Sequence, residues 1–394
     1  MTSRPADPAR GYLAAADVLR VICIFHVAWY HFWQQSWLDP GFTVGSTYVN
    51  LQQMVRNGYL MVDVLLVLSG FLLALPYARA RLGLCRRISA KEFYVNRFWR
   101  IVPSYVLSLL LCLFLWAIPT GQYESGAAVA EDLLAHFTFT HNLIPEIFFR
   151  TPLLGVLWTV GVEVQFYLLF PLIVGFYEER PGLTCLALGG VAWCFRAWLY
   201  RQEGTAFWVN QLPCMLDLFA CGMGAAALYG ALSRKDLRPG TRRLLALGAL
   251  LALLLIYQML YRQTLGEPDQ VRRGQLVLRL PLGLAAGAFL LCGCLAPPGL
   301  GKVLGNPLTR FSAAISYNYY IWHQFLALRL KDWHLPPYAA ENPNMAGEQP
   351  WQLEYTLLCF LAAGIAGVLL TYLWERPVNR WGRRRMKQAE AAAR

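Results

Sequence analysis

The sequence predicts an all-α polytopic membrane protein with about ten transmembrane helices and with both termini in the cytoplasm. Only 15% of its 394 residues are charged, whereas soluble domains carry about 25%. Hydrophobic residues make up 57% of the chain, and its 14 Trp and 20 Tyr suit anchors at the two lipid–water interfaces. These proportions argue against a soluble enzyme. The ten cysteines form no CxxC pair, so neither a disulfide framework nor a structural zinc site is predicted.

Apolar runs of about 20 residues are long enough to cross the hydrocarbon core of a bilayer. The first of these runs follows a polar segment and has no small-residue cleavage site after it. We therefore expect a retained helix there and not a removed signal peptide. The predicted spans are residues 13–33, 58–77, 101–118, 156–176, 183–200, 212–231, 244–261, 276–295, 311–330 and 353–374.

The basic residues between these runs are unevenly distributed. If the N-terminus lies inside, the cytoplasmic segments hold about 24 of the 35 Lys and Arg residues, and the outside segments hold about 7. This bias predicts the orientation. It also accounts for the net charge of +12, because the basic residues line the cytoplasmic edges of a membrane protein. No nucleic-acid partner is therefore expected.

Residues 119–155 are partly apolar but also carry Pro and acidic residues, so an outside loop with an interfacial or re-entrant helix is predicted. A span in this stretch would invert every later segment and place the basic C-terminal tail outside. No internal repeat is visible. We expect one membrane domain over residues 1–394, with a core at about 13–377 and a basic cytoplasmic tail at 378–394.

Ionisable residues within the first predicted span mark a site, because a charge inside a bilayer is costly. Arg20 and His31 are 11 residues apart, so they share one helix face and are separated by about 16 Å along the axis. Asp17 lies one turn before Arg20 and can pair with it. This face is predicted to point toward protein or a water-filled cavity. The alternative is that Arg20 snorkels and His31 belongs to the interfacial belt.

Two other spans carry acids. Glu163 lies about five residues below Trp158, the expected interface anchor, at a depth comparable with that of His31. A carboxylate and an imidazole at matched depth can form a general acid/base pair, and the alternative is a structural ion pair or a hydrogen-bonded core glutamate. Asp63 in the second span is predicted either to pair with an arginine or to take part in the chemistry.

Arg97 and Arg100 lie one turn apart at the cytoplasmic start of the third span. Two guanidiniums in this arrangement suit the phosphates of a nucleotide cofactor, and lipid headgroups are the alternative ligand. His323 in the ninth span is surrounded by Tyr and Trp. The sequence is compatible with either a core histidine or a catalytic histidine at this position. Arg196, Arg279 and Arg329 lie near or within spans, and the sequence assigns them no partners.

Taken together, these segments resemble the acyltransferase family 3 integral-membrane proteins over nearly the whole chain. The matching motifs are Asp17, Arg20 and His31; MVDVLLVLSGFLL; FYVNRFWRIVPSY; LWTVGVEVQFYLLFPL; ISYNYYIWH; and Glu375-Arg376-Pro377. The chain departs from the family pattern at Val164, where a second consecutive acid is common, and at Val21, where a small Gly often follows the arginine. His26 is an additional histidine in the first span.

The resemblance implies a membrane-bound O-acyltransferase of the bacterial inner membrane. Such an enzyme moves an acyl group, most often acetyl, from cytoplasmic acyl-CoA to a hydroxyl of a glycan or other exported acceptor. The implied catalytic residues are His31 and Glu163, and Arg97 and Arg100 are implied to bind the acyl-CoA phosphates. The residues implied to support the site are Asp17, Arg20, Asp63, Tyr167 and His323. No metal and no permanently bound cofactor are expected.

Two other classes of function remain open at this point. Buried Arg, Asp, Glu and His residues also line the polar pathways of transporters and of flippases for lipid-linked glycans. A structural partner in an envelope-polymer assembly would use the same residues for complex stability alone. The acyl group, the acceptor, an acyl-histidine intermediate and the oligomeric state are also left open.

Overall fold

A computed structural model describes residues 12–263 and 266–392. The polar N-terminal segment 1–11, whose cytoplasmic placement is predicted, lies outside the described residues, as do residues 264–265 and 393–394. The helices are α1 (Ala14–Ser36), α2 (Gln52–Arg56), α3 (Met61–Arg81), α4 (Ala90–Cys112), α5 (Gly126–Phe137), α6 (Pro145–Arg150), α7 (Trp158–Glu179), α8 (Pro181–Leu199), α9 (Leu216–Leu232), α10 (Pro239–Arg262), α11 (Pro268–Leu295), α12 (Pro298–Leu304), α13 (Pro307–Asp332), α14 (Trp351–Leu370) and α15 (Arg376–Ala392).

The strands are confined to one antiparallel hairpin, β1 (Phe42–Val44) and β2 (Thr47–Val49), in the part of the chain that the structure describes. Gly45 occupies the turn at φ +61°, a conformation that favours glycine. The predicted all-α class is confirmed, because every other regular element is a helix.

Nine helical segments within the described ranges are long and apolar enough to cross a membrane. They are Ala14–Ser36, Gly58–Arg81, Ala90–Ala117, Gly155–Glu179, Pro181–Leu199, Leu212–Leu232, Pro239–Arg262, Pro268–Leu295 and Trp351–Met386. The ninth predicted span, 311–330, forms α13, which has 26 residues and is therefore about 39 Å long. It is long enough to cross, but it is less apolar than the others because polar and charged residues continue to its end.

Residues 119–155 form no span. Their helices are α5, with 12 residues, and α6, with 6 residues. Leu134 and Phe137 of α5 are exposed, whereas Asp132 and His136 are buried. This helix therefore turns a polar face inward and an apolar face outward, as the prediction of an interfacial helix requires.

The internal contacts divide the chain into two compact units. Among the described residues, unit 1 comprises residues 12–27, 41–88, 168–263 and 266–313, and unit 2 comprises residues 28–40, 89–167 and 314–392. Three helices, α1, α7 and α13, contribute residues to both units. The prediction of a single membrane domain stays a prediction.

Within unit 1, α3 and α9 approach each other at glycine residues. A Cβ added at Gly70 would lie 2.3 Å from the backbone oxygen of Phe219, and one at Gly222 would lie 2.0 Å from that of Val67. Only residues without a side chain permit this contact between two helix backbones. The small residues after Asp63 therefore serve close helix packing, as the sequence indicated.

Within unit 2, buried polar contacts join the end of α1 to α14 and α13. Gln352 Nε2 donates to the backbone oxygen of Ser36 (2.9 Å), and the Tyr355 hydroxyl donates to that of Ala327 (2.6 Å). Phe32 packs into the same buried cluster as Trp351 and Tyr355. These contacts fix the last turns of α1, which carry His31.

Candidate active site

The first two predicted site residues of α1 form the expected ion pair. Arg20 Nη1 lies 2.9 Å from Asp17 Oδ1, one turn away on the same helix, and both side chains are mostly buried. This pair belongs to unit 1. The polar face predicted from the spacing is thus present at the start of α1.

His31, in unit 2, has glutamine side chains on one of its two ring nitrogens. Its Nδ1 atom lies 2.9 Å from Gln34 Oε1 and 3.0 Å from Gln324 Nε2. A bond to Gln34 Oε1 requires a proton on Nδ1, whereas a bond from Gln324 Nε2 requires a lone pair there. Only one of the two bonds therefore holds at a time. Within the described ranges, no side chain or backbone group bonds to Nε2 of His31.

His323 lies directly against His31, with ring centroids 5.1 Å apart. Its Nδ1 atom bonds to the backbone oxygen of Tyr320 (2.6 Å) and so carries the proton, which leaves a lone pair on Nε2. Nε2 is buried and has no hydrogen-bond partner. The structure therefore places two imidazoles side by side in unit 2, and the sequence had not predicted that they would meet.

Glu163 is positioned by α7, on the face that also carries Thr159 and Tyr167, because these residues are four apart. The Thr159 and Tyr320 hydroxyl groups are 3.0 Å apart. Glu163 lies within electrostatic range of Tyr317, Tyr320 and Arg97. The structure thus brings Glu163 to the tyrosines of α13 and to Arg97, while the direct pair with His31 stays a prediction.

Arg97 and Arg100 lie one turn apart on α4, and their surroundings differ. The Arg97 guanidinium carbon lies 5.6 Å from the Tyr167 ring centroid and 5.7 Å from that of Phe93. Its Nε is buried and has no hydrogen-bond partner. Arg100 is exposed and lies within electrostatic range of Glu375. One guanidinium is therefore held between aromatic rings, and the other reaches the surface.

Together these residues form a polar track through unit 2, defined as Arg100, Arg97, Glu163, Tyr317, Tyr320, His323 and His31. Arg97 interacts electrostatically with Arg100 and Glu163, and Glu163 interacts with both Tyr317 and Tyr320. The His323 ring contacts the rings of Tyr320 and His31. The Tyr317 hydroxyl donates to the backbone oxygen of Ile101 (3.1 Å), which ties α13 to α4 beside the track. Among the predicted site residues, His31, Glu163, Tyr167, His323, Arg97 and Arg100 all belong to unit 2.

Asp63 lies in unit 1 and is paired. Arg279 Nε lies 3.2 Å from Asp63 Oδ2, and both side chains are almost completely buried. Arg196, which the sequence left without a partner, bonds to Asp217 with both Nη atoms (2.8 and 2.6 Å). The structural partner predicted for Asp63 is thus Arg279, and a chemical role for Asp63 stays a prediction.

A buried polar cluster between α5 and α7 in unit 2 was not predicted from the sequence. His136 Nδ1 lies 2.9 Å from both Asp132 Oδ1 and the backbone oxygen of Asp132. The hydroxyl groups of Tyr123 (2.6 Å) and Thr151 (2.8 Å) donate to Asp132 Oδ2. The rings of His136 and His141 are stacked, with centroids 4.2 Å apart. The spacing of Asp132 and His136 by four residues was the available signal.

This cluster packs against the face of α7 that carries Gly161 and Gln165. A Cβ at Gly161 would lie 2.7 Å from Asn142 Oδ1 and 3.2 Å from His141 Cε1. Gln165 Nε2 donates to Asn142 Oδ1 (2.8 Å) and to the backbone oxygen of Phe139 (3.2 Å). Gly161 and Gln165 face the cluster, while Glu163 lies on the other side of the helix. The cluster therefore fixes the rotation of α7 and the direction of Glu163.

Acid is expected to destabilise this cluster. Burial, together with the electrostatic effect of the neighbouring His136, lowers the pKa of His141 from 6.5 to about 3. A histidine that is neutral in the fold but protonates when unfolded costs stability below about pH 6.5, or about 2 kcal/mol at pH 5. Unfolding of the detergent-solubilised chain, followed between pH 7.5 and pH 5, should show this loss.

The variant His141→Asn should flatten the pH dependence of unfolding, whereas replacing the exposed His334 by Asn should not. Asp132 does not contribute in this pH window. Burial raises the pKa of Asp132, but bonds from His136 and Tyr123 outweigh it and hold the pKa below the usual value. Its stabilisation is therefore lost only in stronger acid. An equally steep loss in His141→Asn would contradict the assignment to His141.

Comparison with known proteins identifies the family. Residues 13–372 match the family model described as "Acyltransferase domain". The chain belongs to the acyltransferase 3 family. It is an integral, multi-pass membrane member of that family, with the helical architecture described above. No solved structure matches the chain.

The curated relatives are distant. The chain is similar to "Nodulation protein 10" of Rhizobium leguminosarum bv. viciae, with 23% identity over 238 residues covering 54% of this chain and 62% of the relative. It is also similar to the "Putative peptidoglycan O-acetyltransferase YrhL" of Bacillus subtilis, at 23% identity over 79% of this chain and 48% of the relative. The "O-acetyltransferase OatA" of Staphylococcus aureus shows 28% identity over 43% of this chain and 26% of its own. The chain thus matches less than two thirds of each of these relatives.

Proposed function

We propose that this acyltransferase 3 member transfers an acetyl group from acetyl-CoA to a hydroxyl group of a glycan. In this proposal the protein lies in the bacterial inner membrane, and acetyl-CoA reaches it from the cytoplasm. The observation that carries the proposal is the polar track of unit 2, which runs from a pair of arginines to a pair of histidines. The names of two relatives, both O-acetyltransferases, support the choice of reaction.

The donor is proposed to bind at Arg97 and Arg100. Arg97 has a buried Nε without a hydrogen-bond partner, so a phosphate oxygen would satisfy a donor that is otherwise costly to leave unbonded. Arg100 is exposed and can meet a second phosphate. The thioester arm of acetyl-CoA would then follow the polar track toward His31.

The chemical step is proposed to occur at His31. When Nδ1–H donates to Gln34, Nε2 has a lone pair and can accept the proton of the acceptor hydroxyl. The hydroxyl oxygen bonds to the acetyl carbonyl carbon, the carbon–sulfur bond breaks, and the CoA thiolate leaves and takes up a proton. Attack by Nε2 itself, with an acetyl-histidine intermediate, uses the same geometry. Glu163 is proposed to stabilise the positive charge that develops on the imidazole.

One assay tests this function against transport. The full chain is reconstituted in liposomes with acetyl-CoA and N-acetylchitotetraose, and both release of the CoA thiol and acetylation of the sugar are measured. The proposal expects the two products in equal amounts. Passage of the sugar across the bilayer without CoA release would instead support a transporter or flippase.

Removal of either arginine is expected to weaken donor binding. Arg97→Gln and Arg100→Gln should each raise the KM for acetyl-CoA about tenfold or more, because each removes a charge-assisted bond to phosphate. The exposed Lys91, in the first turn of the same helix, provides the control Lys91→Gln. An unchanged KM together with a dependence on anionic lipid would support headgroup binding by these arginines instead.

A further inference from the structure

A cleft at the end of α4 in unit 2 is not used by the donor site. It is lined by Trp116, Gly155, Gln324, Phe325 and Arg329 together with neighbouring residues of 152–156. It is a shallow cleft with a volume of about 40 Å³ that opens at its mouth. Trp116 belongs to Leu113–Ala117, where α4 continues as a π-helical turn. Such turns are frequent at functional sites, because they redirect the side chains of a helix.

One wall of the cleft is an arginine held flat on an aromatic ring. The Arg329 guanidinium carbon lies 4.0 Å from the Trp116 ring centroid, and Phe325 meets Trp116 edge-on at 5.6 Å. Arg329 Nη2 is fixed by Asp332 Oδ2 at 2.9 Å. Arg329 Nε is buried and has no hydrogen-bond partner. A fixed donor without a partner is unfavourable, and a hydrogen bond to a ligand oxygen would satisfy it.

The cleft is connected to His31 through one of its lining side chains. Gln324 lines the cleft, and its Nε2 atom lies 3.0 Å from His31 Nδ1. A Cβ at Gly155 would lie 3.6 Å from Gln324 Oε1, so the glycine leaves the Gln324 amide open to the cleft. A ligand in the cleft would therefore be separated from the proposed catalytic imidazole by a single side chain, that of Gln324.

The cleft is far from the donor arginines. Trp116 follows Arg100 on the same helical segment and lies about 24 Å further along its axis. The two ends of α4 thus offer separate binding regions, one rich in phosphate-binding groups and one that combines aromatic walls with hydrogen-bonding groups. Sugars are commonly bound by this second combination, because a pyranose ring has apolar C–H faces and a polar rim.

We infer that this cleft binds the acceptor glycan, as a pyranose that carries an amide or carboxylate oxygen. This inference rests on the proposed function and assigns its second substrate to a site. Trp116 and Phe325 contact the C–H surface of the ring, and Arg329 Nε donates to the acetamido or carboxylate oxygen. Gln324 lies between the cleft and His31 Nδ1, and the hydroxyl that reacts at Nε2 belongs to the part of the glycan that extends beyond Gln324.

The test measures the two substrates separately in the full-length protein. Arg329→Gln and Gly155→Val should each raise the KM for N-acetylchitotetraose at least tenfold, while the KM for acetyl-CoA stays within twofold. Gly155 is exposed and has no positive φ, so Gly155→Val fills the cleft without straining the backbone. It keeps the test decisive even where Arg329→Gln disturbs the stack on Trp116.

Matched controls are available in the same unit. Gly126→Val adds a side chain where no atom lies within 4 Å, and Arg150→Gln removes an exposed arginine outside the cleft. Both should leave the two KM values unchanged. Cellotetraose, which lacks the acetamido oxygen, and a muramic-acid disaccharide, which adds a carboxylate, identify the group that Arg329 binds. The inference expects cellotetraose to bind at least tenfold more weakly than the better of the other two probes.

The outcomes separate this inference from the proposed function. Normal acetyl transfer with an acceptor KM unmoved by Arg329→Gln and Gly155→Val overturns the acceptor cleft and leaves the acetyltransferase intact. Equal binding of cellotetraose overturns the role of Arg329 Nε, and binding of none of the three sugars overturns the cleft as a glycan site. Absence of acetyl-CoA turnover with every probe counts against the proposed function as well.

Discussion

Replacing His31 by alanine is expected to lower acetyl transfer by at least about a hundredfold, because general acid–base catalysis contributes roughly 10²–10⁴ to enzyme rates. The loss should appear in kcat, while the KM for acetyl-CoA stays close to that of the parent protein. His31 Nδ1 contacts the side chains of Gln34 and Gln324, and the His31 ring contacts the rings of Tyr30 and His323. Its removal therefore opens space in unit 2 but leaves no buried charge unpaired. CoA release by the reconstituted chain is the measurement.

His26 offers a matched control on the same helix. Its Nδ1 bonds to the backbone oxygen of Ile22 (2.9 Å), and its ring meets Tyr257 at 5.3 Å. His26→Gln should therefore retain most of the activity. Near-normal transfer by His31→Ala, with a melting temperature equal to that of the parent, would contradict the proposed chemistry.

Replacing each of the two glutamines that contact His31 tests whether the tautomer of His31 matters for catalysis. Gln34→Leu removes the acceptor that favours a proton on Nδ1, so the proportion of His31 with a free Nε2 lone pair should fall, and kcat with it. Gln324→Leu removes the competing bond, so it should not lower the proportion of that tautomer. If His31 served only as an interfacial belt residue, kcat would be the same in both variants as in the parent protein.

Spacing along single helices allowed part of this site to be predicted. The Asp17–Arg20 pair, the Arg97–Arg100 pair and the presence of Glu163 on a long apolar helix all follow from periodicity within one element. Apolar runs predicted the spans for the same reason, since each is a local property of the chain. The ninth run, 311–330, was the exception, because α13 carries polar residues of the track.

Contacts between helices could not be predicted in this way. Asp63 and Arg279 are 216 residues apart, and His31 and Gln324 are 293 residues apart. A single sequence shows that each of these residues is buried in an apolar segment, but not which helix faces it. The polar cluster of Asp132, His136 and His141 was hidden for a related reason. Its helix is amphipathic, and here the polar face is the one that turns inward.

The largest effect on stability is expected at the buried ion pair of unit 1. Asp63→Ala should destabilise the chain by about 3–5 kcal/mol, because it leaves the charge of the fully buried Arg279 without its carboxylate. Arg279 also donates to the Cys214 sulfur (2.9 Å) and to the backbone oxygen of Val209, so it cannot turn to solvent without breaking those bonds. Unfolding in detergent micelles, followed by helix content, gives the measurement.

A double variant of the buried pair and a single variant of a surface ion pair serve as controls for this prediction. Asp63→Leu combined with Arg279→Met should recover much of the stability lost in Asp63→Ala, because buried ion pairs are often replaceable by apolar residues of similar volume. Asp269→Ala breaks the partly exposed pair with Arg272 (2.7 Å) and should cost at most about 1 kcal/mol. If the double variant is stable and still transfers acetyl groups, Asp63 serves the fold alone. A stable double variant without activity would instead assign Asp63 a part in the chemistry, since the ion pair would then be dispensable for folding but not for transfer.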